Sequence, residues 1–222
     1  MSGQAFMFAA FWIGTAMPGL LCLEHAVATP ESLPSISVRV YDFAVVPPSA
    51  LTKAEAEARR IFLQAGIAVT WYDCSRAGKS NEDQAICSAP ASPTKPTLKI
   101  LRRFRLEPGI TVETAGFAIP SIGFAYVSFE RVTELMPYVK SPCGQLLGLV
   151  AAHEIGHLLL QTGGHSHVGI MHSPLSRKEL GLADQNSLFT AQQASEMRES
   201  IWKNPYWTSR LVSTRPSTLA DR

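Results

Sequence analysis

The stretch from Cys143 to Met171, C-G-Q-L-L-G-L-V-A-A-H-E-I-G-H-L-L-L-Q-T-G-G-H-S-H-V-G-I-M, constrains this chain more than any other. At its centre is H-E-x-x-H, formed by His153, Glu154 and His157. On an α-helix, residues four apart share a face one turn apart, so both imidazoles can reach one metal ion. Glu154 is rotated roughly a quarter turn from His153. That places a carboxylate beside the metal, free to take a proton from a bound water. Leu147, Gly148, Ala151, Ile155, Leu158 and Leu159 fall opposite the histidines, and Leu146, Leu149, Val150 and Leu160 make the remaining face apolar. A helix apolar nearly all round is a buried one.

Gly163-Gly164 reads as the helix stop, because glycine tolerates the left-handed geometry of a helix C-terminus. Two histidines make a poor zinc site, whereas three plus a water form the catalytic arrangement. His165, His167 and His172 compete for the third place. His165 comes first after the stop and needs the shortest return path to reach His157. Residues two apart point the same way in an extended segment, so periodicity alone does not separate His165 from His167.

H-E-I-G-H-L-L-L, followed by H-S and then G-I-M, resembles the metzincin clan of zinc peptidases, particularly its matrixin-like branch. The block is also similar to small exported bacterial proteins with the same H-E-I-G-H-L-L-L signature. The resemblance implies an α+β fold: a mixed twisted β-sheet with a backing helix, a buried active-site helix and a small helical C-terminal part. It implies His153, His157 and His165 as ligands of one catalytic zinc ion, and Met171 as the methionine of a turn beneath the metal. His167 would then be a rim group or a support for a ligand. The clan's usual helix-ending glycine falls on Leu160 and its usual third histidine on Gly163. The helix is therefore expected to run longer and turn at Gly163-Gly164, with His165 in the third place. Met171 as an ordinary core filler is the alternative.

The chain has 222 residues, 46% hydrophobic and 17% charged, enough for one globular domain with a sizeable core. A net charge of +2 leaves no electrostatic footprint for nucleic acid. Ala5 to Leu23 is an apolar run without a charge, and Ala26-Val27-Ala28 is a small-x-small cleavage site. Residues 1–28 thus read as a secretory signal cleaved after Ala28, or as an uncleaved membrane anchor. A peptidase domain over 29–203 and a loose tail over 204–222 follow. Export, to the periplasm or the extracellular space, makes disulfides available. One between Cys74 and Cys87 would close the polar loop between them, stabilising by about 3 kcal/mol. Cys143, on the helix about 15 Å before His153, reads as structural.

In chain order, Ile36, Val38 and Val40 alternate, and Phe43 and Val45 resume out of phase, which suggests a strand with a bulge near Tyr41-Asp42. A helix follows with a capping box from Thr52 to Glu55 and stops at Gly66. Ile67, Val69 and Trp71 make a second strand, and strand–helix–strand with short joints is a parallel crossover unit. Leu98 to Phe104 reads as a third strand. Gly116 to Ile119 and Gly123 to Phe129 read as two more, either a plain hairpin or, by the resemblance, the cleft rim that binds extended peptide by strand addition. Ser176 to Ala183 and Thr190 to Trp202 are further helices, the second with a capping box at Thr190 and Gln193.

The expected function is a secreted, monomeric, zinc-dependent endopeptidase acting on peptide or protein substrates. Glu154 would take the proton from the attacking water and pass it to the leaving amine. A non-catalytic zinc-binding exported protein and a membrane-tethered binding module are the rival classes. The first would tolerate loss of Glu154; the second would keep residues 5–23 in the mature chain.

Overall fold

Alternating apolar residues build the first strand. In the computed structural model, which describes residues 33–75, 80–105, 114–139, 141–162, 164–172 and 188–204, β1 (Ser35–Asp42) buries Ile36, Val38 and Val40. α1 (Pro48–Gln64) returns along the sheet and β2 (Ala68–Asp73) pairs parallel with β1, as the strand–helix–strand pattern predicts. Then come α2 (Asn81–Ser88), β3 (Thr97–Leu101), β4 (Gly116–Ile119), β5 (Phe124–Ser128), α3 (Phe129–Leu135), α4 (Cys143–Leu160) and α5 (Ala191–Lys203). The five strands lie in the order β2-β1-β3-β5-β4, all parallel except β4, which runs antiparallel to β5 at the edge. The fold is α+β with a mixed sheet, the class expected from the sequence.

α4 is buried almost throughout, packing on α1 and across β4 and β5. Two glycines permit the helix crossing. A Cβ on Gly144 would stand 2.6 Å from the Ala50 carbonyl oxygen, and one on Gly148 would collide with the Ala54 carbonyl. The backbone of α1 therefore approaches α4 where α4 carries no side chain. α5 closes the bottom of the core with Ala194, Met197 and Ile201, and starts with the expected capping box between Thr190 and Gln193.

Four local expectations fail, each for an identifiable reason. There is no bulge near Tyr41: β1 ends at Asp42, whose carboxylate accepts from the Ala44 and Val46 amides and turns the chain. Phe43 and Val45 are consequently exposed rather than in the core, and Val45 is held at φ +57. α1 starts a turn before the Thr52–Glu55 box, with Pro48 at its first turn, where a missing N–H costs nothing. The Thr52 hydroxyl donates to the Pro48 carbonyl instead. The third strand stops at Leu101, short of Phe104. Finally, α4 ends at Leu160 rather than at Gly163-Gly164, because Gln161 itself takes the left-handed conformation at φ +52.

The polar loop between the cysteines contains a helix that residue patterning does not signal. α2 buries no residue, and the Ser80 hydroxyl caps it by accepting from the Asp83 amide. A disulfide joins Cys74 to Cys87 across this loop. Cys143, a free thiol, is the first residue of α4. The segments read as signal, as the Ser176–Ala183 helix and as the tail beyond Asn204 lie outside the described residues.

Candidate metal centre

α4 presents His153 and His157 one turn apart, both buried. The loop after the helix brings His165, which is exposed, against them. The ring centroids form a near-equilateral triangle: 4.8 Å from His153 to His157, 5.3 Å from His153 to His165, and 4.9 Å from His157 to His165. One ring nitrogen from each lies within 4.8 Å of the other two.

Backbone carbonyls fix the two helical rings. His153 Nδ1 lies 2.6 Å from the Ile170 oxygen, and His157 Nδ1 lies 2.8 Å from the Thr162 oxygen. A carbonyl only accepts, so each Nδ1 carries the donated proton and each neutral ring leaves Nε2 bare. Those two Nε2 atoms stand 3.2 Å apart. Two lone pairs at that distance repel unless a cation draws them together. Nitrogens on one tetrahedral zinc, each at about 2.0–2.1 Å, are separated by about 3.3 Å. The donor set and its spacing fit such an ion.

Electrostatics favour the neutral, ligating form. Burial holds His153 down to about 4, against its bond to Ile170 and with help from the neighbouring His157 and His165. Burial likewise lowers His157, and it lowers His165 together with nearby His172. Glu154, also buried, is pushed up to about 8 by desolvation.

The early end of α4 serves the site. Turning at Gln161 swings the Thr162 carbonyl back to the His157 ring, while the Thr162 amide donates to the His157 carbonyl at 3.3 Å. The Met171 turn is closed by the Ser166 amide donating to the Met171 carbonyl at 2.9 Å, and Gly169 at φ +75 makes the corner. Met171 is buried beneath the helix, its sulfur against Gly156, where an added Cβ would lie 2.8 Å away. The same Cβ would meet Phe189 Cε1 at 2.7 Å.

His167 is exposed on the loop and lies outside the three-histidine group; half-buried His172 faces His165 without joining it. Sequence reasoning missed the carbonyls of Thr162 and Ile170, which carry no residue-type signal. It also missed Gly116 at the start of β4, which packs directly on Glu154. The Ala115 carbonyl accepts from the Ser128 amide, so Ala115 faces β5. By the alternation of an antiparallel pair, Gly116 and Ala118 then turn their own N–H and C=O groups towards the outer side of β4, where no described strand pairs.

No family model matches the sequence, and no curated protein matches it. Among solved structures, a zinc-dependent peptidase from Methanocorpusculum labreanum (strain Z) superimposes with a TM-score of 0.53 at 17% identity, over 72% of this chain and 99% of that one. Archaemetzincin from Methanopyrus kandleri gives 0.49 at 15% identity, over 76% and 97%. The first is a likeness of fold with little sequence in common; the second is too loose to add to it.

Proposed function

We propose that this chain is a zinc-dependent metallopeptidase of metzincin type, hydrolysing peptide bonds in extended substrates. The observation that carries the reading is the pair of bare Nε2 atoms 3.2 Å apart, with His165 completing the triangle and Glu154 beside it on the same helix. The fold likeness to a zinc-dependent peptidase supports it.

His153, His157 and His165 would hold the ion. When bound, zinc would supply a Lewis acid with a position open to water, lowering that water's pKa towards about 7. Glu154 accepts the proton released as the peptide carbonyl is attacked and returns it to the leaving amine. The outward N–H and C=O groups of Gly116 and Ala118 pair with the substrate backbone as an added strand, which lays the scissile bond along the metal. Met171 supports the histidines from below. The apolar run from Ala5 to Leu23 with Ala26-Val27-Ala28 supports export as a secreted enzyme.

The test is metal analysis of the purified chain followed by a proteome-derived peptide cleavage screen, with Glu154→Ala as control. One zinc per chain and cleavage lost in the variant are expected. Equal cleavage by the variant would sink the mechanism; zinc lost from the variant would make Glu154 a ligand instead.

A further inference from the structure

We infer that Gly116 is a positioning residue: β4 carries no side chain there so that the Glu154 side chain can fill that space beside the three histidines. The inference rests on the peptidase reading for its purpose, but the contact stands on geometry alone. A Cβ added at Gly116 would lie 2.6 Å from Glu154 Oε1, 2.7 Å from its Cγ and 2.9 Å from its Cδ. Three successive atoms of one side chain thus pass over the bare α-carbon.

The backbone does not require glycine here. The glycines with positive φ are Gly66, Gly123 and Gly169, and Gly116 is not among them. It is an ordinary strand residue, opposite Val127 in the β4–β5 ladder. Any L-residue could adopt its conformation, so the constraint is the space taken by Glu154.

Nor can the main chain on either side readily give way. β4 is pinned by its ladder to β5 and, one residue earlier, by the Ser128 amide donating to Ala115 at 2.9 Å. Glu154 sits on a helix buried on all sides, between the two histidine positions it must stay close to. A methyl group at position 116 would displace the carboxylate rather than the main chain. The side chain moved is the one that handles the proton, while the rings stay anchored to Ile170 and Thr162. Position 116 therefore separates proton transfer from metal binding.

The test is a double-mutant cycle of Gly116→Ala and Glu154→Ala on the full chain, read by thermal denaturation with and without zinc. In the parent, Gly116→Ala should lower the midpoint by roughly 5 °C, the usual scale for overpacking in a domain of this size. In the Glu154→Ala background, where all three clashing atoms are gone, it should lower it by less than about 1 °C. Bound zinc per chain should be unchanged by Gly116→Ala, and hydrolysis of fluorescent casein should lose at least about tenfold in kcat with KM held within about twofold. If Gly116→Ala is insoluble while the double variant is soluble, the same contact is demonstrated. An equal midpoint drop in both backgrounds, failure of both variants to fold, or full kcat in a folded Gly116→Ala would overturn the inference. Failure of the parent to cleave casein or the peptide library would sink the peptidase reading, and the role in proton transfer with it. The stability cycle would still report the Gly116–Glu154 contact by itself.

Discussion

His153 and Ile170 are joined ring to main chain at 2.6 Å, across a reversal of direction that also carries His165. The bond fixes the His153 ring and the loop that carries His165 in a single frame. His165→Ala should therefore abolish tight zinc binding, while His167→Ala, outside the triangle, should leave affinity within about threefold. Loss of one of three protein ligands costs far more than the 10–100-fold typical of a supporting hydrogen bond. Competitive titration with a chromophoric chelator decides. Zinc kept by the first variant and lost from the second would move the third ligand to His167.

The metal-free site makes opposite demands on pH. His153 is held near 4, below its ordinary 6.5, so the folded state binds fewer protons than the unfolded and stability is lost as pH falls through that window. Glu154 is raised from 4.5 to about 8, so stability is lost as pH rises. Between about 4.5 and 6.5 the two slopes oppose each other, and His157, also lowered by burial, tips the balance upward with pH. Stability in EDTA should peak near pH 6.5 and drop by about 2 kcal/mol by pH 8. Glu154→Gln should remove the alkaline drop. A drop that survives this substitution would assign it to another group.

Opening the Cys74–Cys87 bridge should act on α2 rather than on the site. α2 buries nothing, and its ties to the sheet include the bridge, the Tyr41 hydroxyl donating to the Cys87 carbonyl at 2.7 Å and the Arg39 guanidinium donating to the carbonyl of the Ala89 cap. A Cys74→Ser/Cys87→Ser variant should lose about 3 kcal/mol, a midpoint fall of roughly 6–12 °C, with zinc stoichiometry intact. Hydrogen exchange should show faster exchange confined to residues 80–89.

The α1–α4 crossing should be intolerant of a single methyl group. Gly148→Ala places a Cβ into the Ala54 carbonyl, which cannot rotate away, and should cost about 3 kcal/mol. Gly164→Ala is the control: exposed, its Cβ would meet only the Thr162 hydroxyl at 3.2 Å. Chemical denaturation of the two variants gives the comparison. Equal midpoints would mean that the helices part without penalty.

How far the sequence spoke depended on whether the information lay in residue type. The H-E-x-x-H helix is legible because helical spacing and an apolar surround are both written in side chains. The parallel β1–α1–β2 unit is legible for the same reason. Phe43 and Val45 misled because their alternation mimics a strand, while the turn is made by Asp42 accepting from backbone amides. Thr52 and Glu55 spelled a cap that Pro48 had pre-empted. α2 has no apolar face, so periodicity had nothing to detect. The end of α4 was hidden because Gln161 adopts a conformation glycine normally marks. Gly116 stood in the sequence without a signal, since what excludes a side chain there comes from a helix 38 positions later.

Ile170 couples distant parts of the chain to the histidine cluster. Its carbonyl receives the His153 proton, and its own amide donates at 2.9 Å to the Leu188 carbonyl, two residues before the cap of α5. Linkage between two such equilibria is reciprocal. Whatever free energy docking of the C-terminal helix lends to ion affinity, the ion returns to helix docking in equal measure. Amide protection in α5 should therefore rise with metal loading, a gauge that can be read without a substrate.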